Sequence, residues 1–306
     1  MRGALLVVVA LGVAACGAHR AAAPRSVAAP STAAAAPAAT RDPCAATPRP
    51  GDHSLPVLPR TPAVIVHLPE GLRPGVRVPL VVGLQGAGQD ARGFEGESGF
   101  TQVADDHRFV VAYPMSWRAR GFWHYPEPDN PRSGLRYLRA TIAAVGRTQC
   151  IDRGRVLVTG ISSGGRMTYA AGCELADVLL AIAPVSGGTR QLPPCHPARP
   201  ISIIDTHGTS DRIVSYRGRG PDRDGRVRDV MDGWARREGC RARPRARRID
   251  PHVTRLDWAG CRGGVRVAHL RVDGGGHAWP PLGGPPGIGI DGAEEIWRFF
   301  AALPDR

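Results

Sequence analysis

The pentapeptide Gly160-Ile-Ser-Ser-Gly164 joins a strand-forming run, residues 155–159, to a helix-like run that opens at Gly165. In a G-x-S-x-G turn between a strand and a helix, the serine adopts a strained backbone conformation. The flanking glycines remove side chains that would clash with the neighbouring elements. The Ser162 hydroxyl is therefore expected to stand exposed above the end of a sheet. This turn restricts the chain to folds in which a buried strand leads a nucleophile directly into a helix.

Short β-rich runs alternate with longer helical runs along the chain, as a mainly parallel sheet requires. The predicted strands are 63–68, 79–84, 109–113, 155–159, 179–183, 201–205 and 265–272, and the clearest helices are 135–145 and 293–302. No second linker interrupts residues 51–306. We therefore predict one α/β domain over 51–306, with a mainly parallel central sheet and helices on both faces.

The first 16 residues are typical of a bacterial lipoprotein signal, because an apolar run from 4 to 13 leads to small residues just before Cys16. We predict that the signal spans 1–16 and that Cys16 is lipidated. A plain secretory signal or a membrane anchor is the alternative, although the run is short for a bilayer span. Residues 17–50, rich in Ala and Pro, are predicted to be a disordered tether because they cannot bury enough apolar surface. The domain is thus expected outside the cell or on its envelope.

Six of the seven cysteines follow Cys16, and an even number in an exported chain favours disulfides over metal sites. We predict the pair Cys240–Cys261, which brackets an Arg-rich segment. The alternative for the other four is that some are small buried hydrophobic residues. Our working choice for these four is Cys173–Cys195 with Cys44–Cys150.

The formal net charge of +13 invites a nucleic-acid interpretation, but all 40 basic residues are arginine, a bias that indicates coding composition. The densest cluster, 241–248, contains Pro244 and lacks interleaved aromatic residues, so we predict a solvated loop and no nucleic-acid partner. Attraction to acidic lipids or an anionic envelope polymer is the alternative. The absence of lysine excludes a Ser-Lys dyad, a Schiff-base enzyme and a P-loop lysine.

A nucleophilic serine needs a base, usually a histidine that is oriented by a carboxylate. When the serine lies on such an elbow, the acid and then the histidine follow it, each after a strand. Asp211 follows the strand 201–205, and His277 follows the strand 265–272 behind three glycines. We predict that Asp211 is the acid and His277 the general base.

Other polar residues near these positions remain alternatives. Asp205 and Asp273 are the second-choice acids, whereas an aspartate in a turn after a strand often only caps backbone amides. His207 precedes the acid along the chain, so we predict that it packs and hydrogen-bonds within its turn.

Negative charge that develops on a carbonyl oxygen requires preorganised N–H donors. The backbone N–H of Ser163, directly after the nucleophile, is the first predicted donor, and that of Ala87, in the Gly-rich loop 84–89, is the second. Trp123 and Trp279 are candidates to line a substrate pocket, with core packing as the alternative.

Three segments carry a resemblance to a known family: Gly-Ile-Ser-Ser-Gly-Gly-Arg-Met at 160–167, His-Gly-Thr-Ser-Asp at 207–211 and Gly-Gly-His-Ala-Trp-Pro at 275–280. They resemble the secreted polyhydroxybutyrate depolymerase and feruloyl esterase family, grouped with carbohydrate esterase family 1, over about residues 60–303. The resemblance implies an α/β-hydrolase fold, a triad of Ser162, Asp211 and His277, and no metal or other cofactor. Where the family usually has His-Gly, this chain has Gln85-Gly86. Because the oxyanion donor is a backbone group, we expect activity to persist.

The resemblance further implies hydrolysis of esters of hydroxy acids or of plant phenolic acids. We predict an exported serine esterase, tethered through Cys16 and monomeric, that acts on a small or oligomeric ester. The residues do not distinguish 3-hydroxybutyrate oligomers from feruloyl or acetyl esters. An envelope acyltransferase with the same triad and a non-catalytic envelope-binding protein are the alternatives.

Overall fold

A computed structural model describes residues 42–126, 130, 132–190, 192–218, 225–285 and 288–305. The predicted signal peptide, Cys16 and the tether up to residue 41 lie outside these described residues. Within the described ranges, no helix has the length and apolar character needed to cross a membrane.

Ten strands of the described chain form one sheet. They are β1 (Gly51–Leu55), β2 (Val64–Leu68), β3 (Val78–Leu84), β4 (Val110–Tyr113), β5 (Ile151–Ile161), β6 (Ala181–Val185), β7 (Ser202–Gly208), β8 (Arg245–Asp250), β9 (Val253–Trp258) and β10 (Val267–Val272). The strand order is β1-β2-β4-β3-β5-β6-β7-β10-β9-β8. The run from β4 to β10 pairs in parallel, whereas the outer strands pair antiparallel. The mainly parallel centre agrees with the prediction.

Helices cover both faces of this sheet. They are α1 (Ala91–Ser98), α2 (Phe100–His107), α3 (Ser133–Thr148), α4 (Ser163–Glu174), α5 (Val227–Arg237) and α6 (Gly292–Ala301), with 3₁₀ turns at Ala119–Gly121 and Arg262–Gly264. One core contains α3, α4 and α5, with Leu138 and Trp234 buried against the sheet. The other contains α1, α2 and α6, with Phe94 and Phe299 buried. Because both faces are covered, the central strands β3, β4 and β6 are almost wholly buried and mostly apolar.

The sequence pattern located the central strands to within a few residues but missed β1, β8, β9 and three helices. The prediction of a solvated loop over 241–248 is wrong for its second half, since β8 begins at Arg245 and pairs antiparallel with β9. An edge strand buries little surface, so β8 carries no alternation of apolar and polar residues. Its arginines stay exposed, as charged residues on an edge strand commonly do.

Three disulfides are present: Cys44–Cys150, Cys173–Cys195 and Cys240–Cys261. These are the pairs favoured above. Cys44 is buried, and its carbonyl accepts a hydrogen bond from the Gly75 N–H at 2.8 Å. The folded domain therefore begins before residue 51, the boundary expected from composition, because a covalent link to Cys150 holds residues that the composition assigns to the tether.

A cluster around His67 ties the sheet edge to the helices. In β2, the His67 Nδ1 lies 2.8 Å from the Asp52 carboxylate of β1, and its Nε2 lies 3.0 Å from the Asp105 carboxylate of α2. Burial lowers the pKa of His67, but the hydrogen bonds to Asp105 and Asp52 outweigh burial, so the pKa is raised above its usual value. The His67 ring therefore bridges two carboxylates on two elements.

Candidate active site

Ser162 occupies the strand-to-helix turn between β5 and α4. Its backbone lies at φ 58° and ψ −116°, outside the ordinary regions for a residue with a side chain. A Cβ on Gly160 would lie 2.6 Å from the Leu84 carbonyl oxygen, and one on Gly164 would lie 2.3 Å from the same oxygen. Both positions therefore require glycine, and β3 contacts the turn closely. The strain at Ser162 is maintained by this packing and by a 3.0 Å hydrogen bond from its N–H to the Val185 carbonyl.

Asp211 and His277 lie together on the loops after β7 and β10. The His277 Nδ1 is 2.8 Å from Asp211 Oδ2. Asp211 Oδ1 accepts hydrogen bonds from the N–H groups of Ile213 and Val214, both at 2.8 Å. With Nδ1–H donated to the carboxylate, the Nε2 of a neutral His277 is left as the basic nitrogen. The Ser162 hydroxyl makes no hydrogen bond with another described residue, a geometry that often tightens only when substrate is bound.

Backbone hydrogen bonds hold the two loops together. The Ser210 N–H donates to the Gly275 carbonyl at 2.8 Å, and the Thr209 N–H donates to the Val272 carbonyl at 2.9 Å. The Thr209 hydroxyl accepts from the Gly274 N–H at 2.9 Å. The parallel pairing of β7 with β10 thus extends into the loops, which fixes the position of the carboxylate relative to the imidazole.

His207 is a further partner of the Asp211 carboxylate, and sequence reasoning assigned it only to its own turn. Its Nε2 lies 2.8 Å from the Val214 carbonyl and 3.3 Å from Asp211 Oδ2. Burial raises the pKa of the Asp211 carboxyl, but the hydrogen bonds from His207 and His277 outweigh burial and lower it well below its usual range. Asp211 therefore stays ionised at neutral pH. The spacing of His207 and Asp211 on one turn was the available signal for this contact.

The second-choice acids have other partners. Asp205 is fully buried in β7 and lies 2.7 Å from His269 Nδ1, while the Tyr169 hydroxyl donates to its other oxygen at 2.8 Å. Asp273 accepts from Arg271 Nε at 2.8 Å. Asp211 is therefore the carboxylate that His277 contacts.

The loop after β3 passes beside the turn that carries Ser162. A carbon at the Cβ position of Gly86 would lie 3.6 Å from the Ser162 Cβ. The Gly86 N–H donates to Gln89 Oε1 at 3.0 Å, and the Gly88 N–H donates to the Arg120 carbonyl at 2.7 Å. The Ala87 N–H between them has no acceptor among the described residues. Ser163 opens α4, where the first N–H groups lack intrahelical acceptors and the helix dipole favours negative charge.

Gln85, the residue that departs from the family pattern, fixes this loop through hydrogen bonds of its buried side chain. It is fully buried, its Oε1 accepts from Trp123 Nε1 at 2.8 Å, and its Nε2 donates to the Gly121 carbonyl at 3.0 Å. Both ends of the amide are therefore satisfied. The side chain links the loop after β3 to the segment that contains Trp123.

The two tryptophans expected to line a pocket do not do so. Trp123 is 1% exposed and stacks on Tyr137 in one core, while its indole N–H contacts Gln85. Trp279 is 0% exposed and packs edge-on against Phe94 and Phe100 in the other core. Their side chains point into the cores, so they support the loops that carry the site and are not available to a substrate.

A cavity of about 330 Å³ opens at Ser162. Its walls include Phe122, Ile213, Arg166 and Arg190, none of which was predicted as a site residue. The neighbours of Trp123 therefore reach the cavity although Trp123 does not. No periodic pattern marks such residues, because they lie on three separate loops and one helix.

The described residues contain one group of side chains that could converge on a cation, formed by Asp52, His67 and Glu95. Arg92 lies among them and pairs with Asp52 and with Glu95 Oε2. This guanidinium supplies the positive charge that the carboxylates require, so the group functions as an ion-pair cluster.

No protein-family model matches the chain. Feruloyl esterase B of Piromyces equi is 29% identical over 244 residues, which cover 70% of this chain and 42% of that protein. Poly(3-hydroxyalkanoate) depolymerase C of Paucimonas lemoignei is 30% identical over 128 residues, 40% of this chain and 30% of that protein. The chain spans less than half the length of these two relatives.

Among solved structures, the acetyl xylan esterase from Aspergillus awamori superposes with a TM-score of 0.59 at 16% identity, covering 78% of this chain and 93% of that one. Its likeness confirms the predicted α/β-hydrolase fold. The sequence relatives confirm the predicted resemblance to feruloyl esterases and polyhydroxyalkanoate depolymerases.

Proposed function

We propose that this chain, a relative of feruloyl esterases and polyhydroxyalkanoate depolymerases with an α/β-hydrolase fold, is a serine esterase that hydrolyses carboxylic esters through Ser162, His277 and Asp211. The observation that carries the proposal is the 2.8 Å contact of His277 Nδ1 with a buried Asp211 carboxylate. Ile213 and Val214, which follow Asp211 on its loop, line the same cavity as the strained Ser162. Such an arrangement has the parts that acyl transfer needs: a nucleophile, a base and a group that orients the base.

In the first half of the proposed reaction, His277 Nε2 takes the proton of the Ser162 hydroxyl while Oγ attacks the ester carbonyl carbon. The N–H groups of Ala87 and Ser163 would bind the oxyanion of the tetrahedral intermediate. The intermediate collapses as the C–O bond to the alcohol breaks, and the imidazolium returns the proton to the departing alkoxide. This step leaves an acyl group on Ser162.

In the second half, His277 takes a proton from water, and the hydroxide oxygen attacks the acyl carbon. Collapse releases the carboxylic acid, and Ser162 Oγ recovers its proton from the imidazolium. Asp211 stays ionised throughout and stabilises the imidazolium. Its strongly lowered pKa supports this role.

Candidate substrates are oligomers of 3-hydroxybutyrate and feruloyl or acetyl esters, because the sequence relatives are named for such groups. We further propose that the protein acts outside the cytoplasm, since three disulfides require an oxidising compartment. Lipidation of Cys16 would hold it on a membrane, with residues 17–41 as part of the tether. Fractionation of cells that express wild type or Cys16→Ala tests this anchor, and equal recovery of both proteins in the membrane fraction would contradict it.

The activity is tested by hydrolysis of p-nitrophenyl acetate and butyrate by the full chain and its Ser162→Ala variant. We expect Ser162→Ala to lose at least about a thousandfold in kcat, while Ser54→Ala, in the edge strand β1, keeps the wild-type rate. A fluorophosphonate should label wild type on Ser162 and leave Ser162→Ala unmodified. Equal rates for wild type and Ser162→Ala would falsify the proposal.

A further inference from the structure

Four donors surround the carboxylate of Asp211, whose side chain is fully buried. Oδ1 accepts from the N–H groups of Ile213 and Val214, both at 2.8 Å. Oδ2 lies 2.8 Å from His277 Nδ1 and 3.3 Å from His207 Nε2. A carboxylate has about four lone-pair positions, so each of them faces a donor. His207 therefore completes the set that fixes this group, although it takes no part in the reaction proposed above.

The hydrogen on His207 Nε2 is assigned by a backbone carbonyl. Nε2 lies 2.8 Å from the Val214 carbonyl oxygen, which can only accept, so Nε2 carries a hydrogen in both the neutral and the protonated ring. Asp211 Oδ2 faces the same nitrogen. The other ring nitrogen, Nδ1, is buried and has no hydrogen-bond partner among the described residues. The polar contacts that His207 makes with these residues are thus directed at the turn that carries Asp211.

A second buried Asp–His pair supports the His207 ring. The Tyr216 ring lies edge-on to it, with ring centroids 5.9 Å apart at an angle of 72°. The Tyr216 hydroxyl contacts His269 Nε2 at 3.0 Å, and His269 Nδ1 lies 2.7 Å from Asp205 Oδ2. Asp205 and His207 are two residues apart on β7, so their side chains lie on the same face of that strand. The His207 ring is therefore packed against a group whose members bind one another and not Asp211.

The negative charge of Asp211 is shared between two imidazoles. Each N–H group that donates to a carboxylate stabilises its charge, and this leaves less attraction for the other donor. When His277 takes a proton in the proposed reaction, Asp211 stabilises the resulting imidazolium. With His207 also donating to Oδ2, this stabilisation is smaller than a carboxylate bound by His277 alone would provide. Loss of His207 should therefore favour the protonated form of His277, which cannot act as a base.

The other charged groups near His207 are not altered when His207 is replaced. Asp205 accepts from the Tyr169 hydroxyl at 2.8 Å and lies beside His269. Burial raises the pKa of Tyr216 to about 12, so its hydroxyl stays neutral. The charged and titratable groups on the elements around His207 and Tyr216 are Tyr169 on α4, Asp205 on β7, Tyr216 in the loop after β7, Arg228 on α5, and His269, Arg271 and Asp273 at β10. A change in pH dependence on replacing His207 thus reports on Asp211.

We infer that His207 is a positioning residue of the proposed triad: its Nε2–H fixes Asp211 Oδ2 and takes up part of the negative charge that would otherwise stabilise protonated His277. The inference rests on the proposed esterase function. As a consequence, neutral His277, the form that takes the proton of Ser162, persists to lower pH than it would with Asp211 alone. His207 thereby widens the pH range of activity without touching the substrate.

The test is the pH profile of kcat/KM for p-nitrophenyl butyrate in the full chain, because its acid limb reports on the essential base of the free enzyme. Each profile is divided by its own plateau, so that a smaller folded fraction cancels. His207→Phe and His207→Leu both remove the donor, and the first also keeps a ring against Tyr216. We expect each to move the acid limb to higher pH by about 0.5 pH unit, a roughly threefold loss below the limb. His207→Gln, which carries an N–H group at a similar distance from the backbone, should move the limb less.

Tyr216→Phe is the matched control, since it removes a hydroxyl contact with His269 from the same segment and leaves Asp211 with all four donors. We expect it to lower the free energy of unfolding in urea and to keep the wild-type acid limb. An unmoved limb in whichever of His207→Phe and His207→Leu folds would overturn the inference. So would a limb that moves as far in His207→Gln or in Tyr216→Phe, because the ring or general packing would then be responsible.

A spectroscopic measurement separates this inference from the proposed function, because it needs no turnover. The proton NMR signal of His277 Nδ1–H, assigned by its loss in His277→Gln, reports on the hydrogen bond to Asp211. We expect it to move downfield in His207→Leu, where Oδ2 has one imidazole donor, and to stay in place in Tyr216→Phe. Wild-type turnover with neither the signal nor the acid limb moved refutes the inference alone. Absence of Ser162-dependent turnover in wild type refutes the proposed function, whatever the signal shows.

Discussion

Replacement of Trp123 by Phe isolates the role of one buried hydrogen bond beside the site. The variant removes the indole Nε1–H that donates to Gln85 Oε1 at 2.8 Å. Trp123 is 1% and Gln85 0% exposed, so no water replaces the lost donor. A buried acceptor left without a partner costs about 1–3 kcal/mol. The smaller ring removes further packing, which adds roughly 1 kcal/mol.

Trp279→Phe is the control for stability. Trp279 is equally buried, but its Nε1 has no hydrogen-bond partner among the described residues. The same substitution there loses ring volume and no hydrogen bond. We therefore expect Trp123→Phe to lower the free energy of unfolding by about 1–3 kcal/mol more than Trp279→Phe does, measured by urea denaturation with the disulfides intact.

The activity of Trp123→Phe reports on the loop that contains Ala87. Gln85 fixes this loop. When its side-chain amide loses the hydrogen bond from Trp123, the loop is held less firmly and the Ala87 N–H is displaced. We expect kcat for p-nitrophenyl butyrate to fall about tenfold with little change in KM, less than the roughly hundredfold cost of losing an oxyanion donor. If Trp123→Phe keeps the wild-type kcat and is no less stable than Trp279→Phe, the proposed coupling between Gln85 and the loop is wrong.

Three further outcomes are expected. Asp211→Asn should keep the circular dichroism of wild type but lower kcat/KM by about a thousandfold or more, since the amide cannot orient His277; a wild-type rate would assign the acid elsewhere. Gly164→Ala should destabilise the domain strongly because its Cβ would meet a backbone oxygen at 2.3 Å, whereas Gly96→Ala in α1, with no atom within 4 Å, should leave the melting temperature unchanged or higher. The raised pKa of His67 stabilises the fold below a pH of about 6.5, and this stabilisation is lost as the pH rises through the raised value. His67→Gln should therefore make the free energy of unfolding, measured by urea denaturation, less dependent on pH in this range. An unchanged pH dependence would contradict the role of His67.

Much of the fold and of the proposed catalytic set follows from local features of the sequence. The elbow at Ser162 is specified by Gly160 and Gly164, which nothing larger can replace, and the central strands are specified by apolar runs that must be covered on both faces. Chain order then predicts Asp211 and His277 as the acid and base of the proposed triad, because parallel strands bring their carboxyl ends to one edge of the sheet. The turn and the strands depend on residues that are close along the chain, and each loop is placed by the strand directly before it.

Only the tertiary structure decided which way the aromatic residues face and what supports them. From the sequence, Trp123 and Trp279 could line a pocket or pack in the core. In the structure, Trp123 contacts Gln85 and Trp279 packs against Phe94, and both partners are distant in sequence. These contacts place both tryptophans in the interior. The edge strand β8 likewise exists through its pairing with β9 and not through its own composition.

The sequence by itself determined the glycine-flanked turn at Ser162, the order in which the proposed acid and base follow it, and the layered α/β architecture, because each is specified by spacing along the chain and by the hydrophobic pattern. The tertiary structure decided that His207 is a second donor to Asp211, that Gln85 holds the loop of Ala87, and that Arg166 and Arg190 meet at one cavity. These contacts join residues from separate loops. Their positions follow from how the sheet and helices pack, which no local pattern encodes.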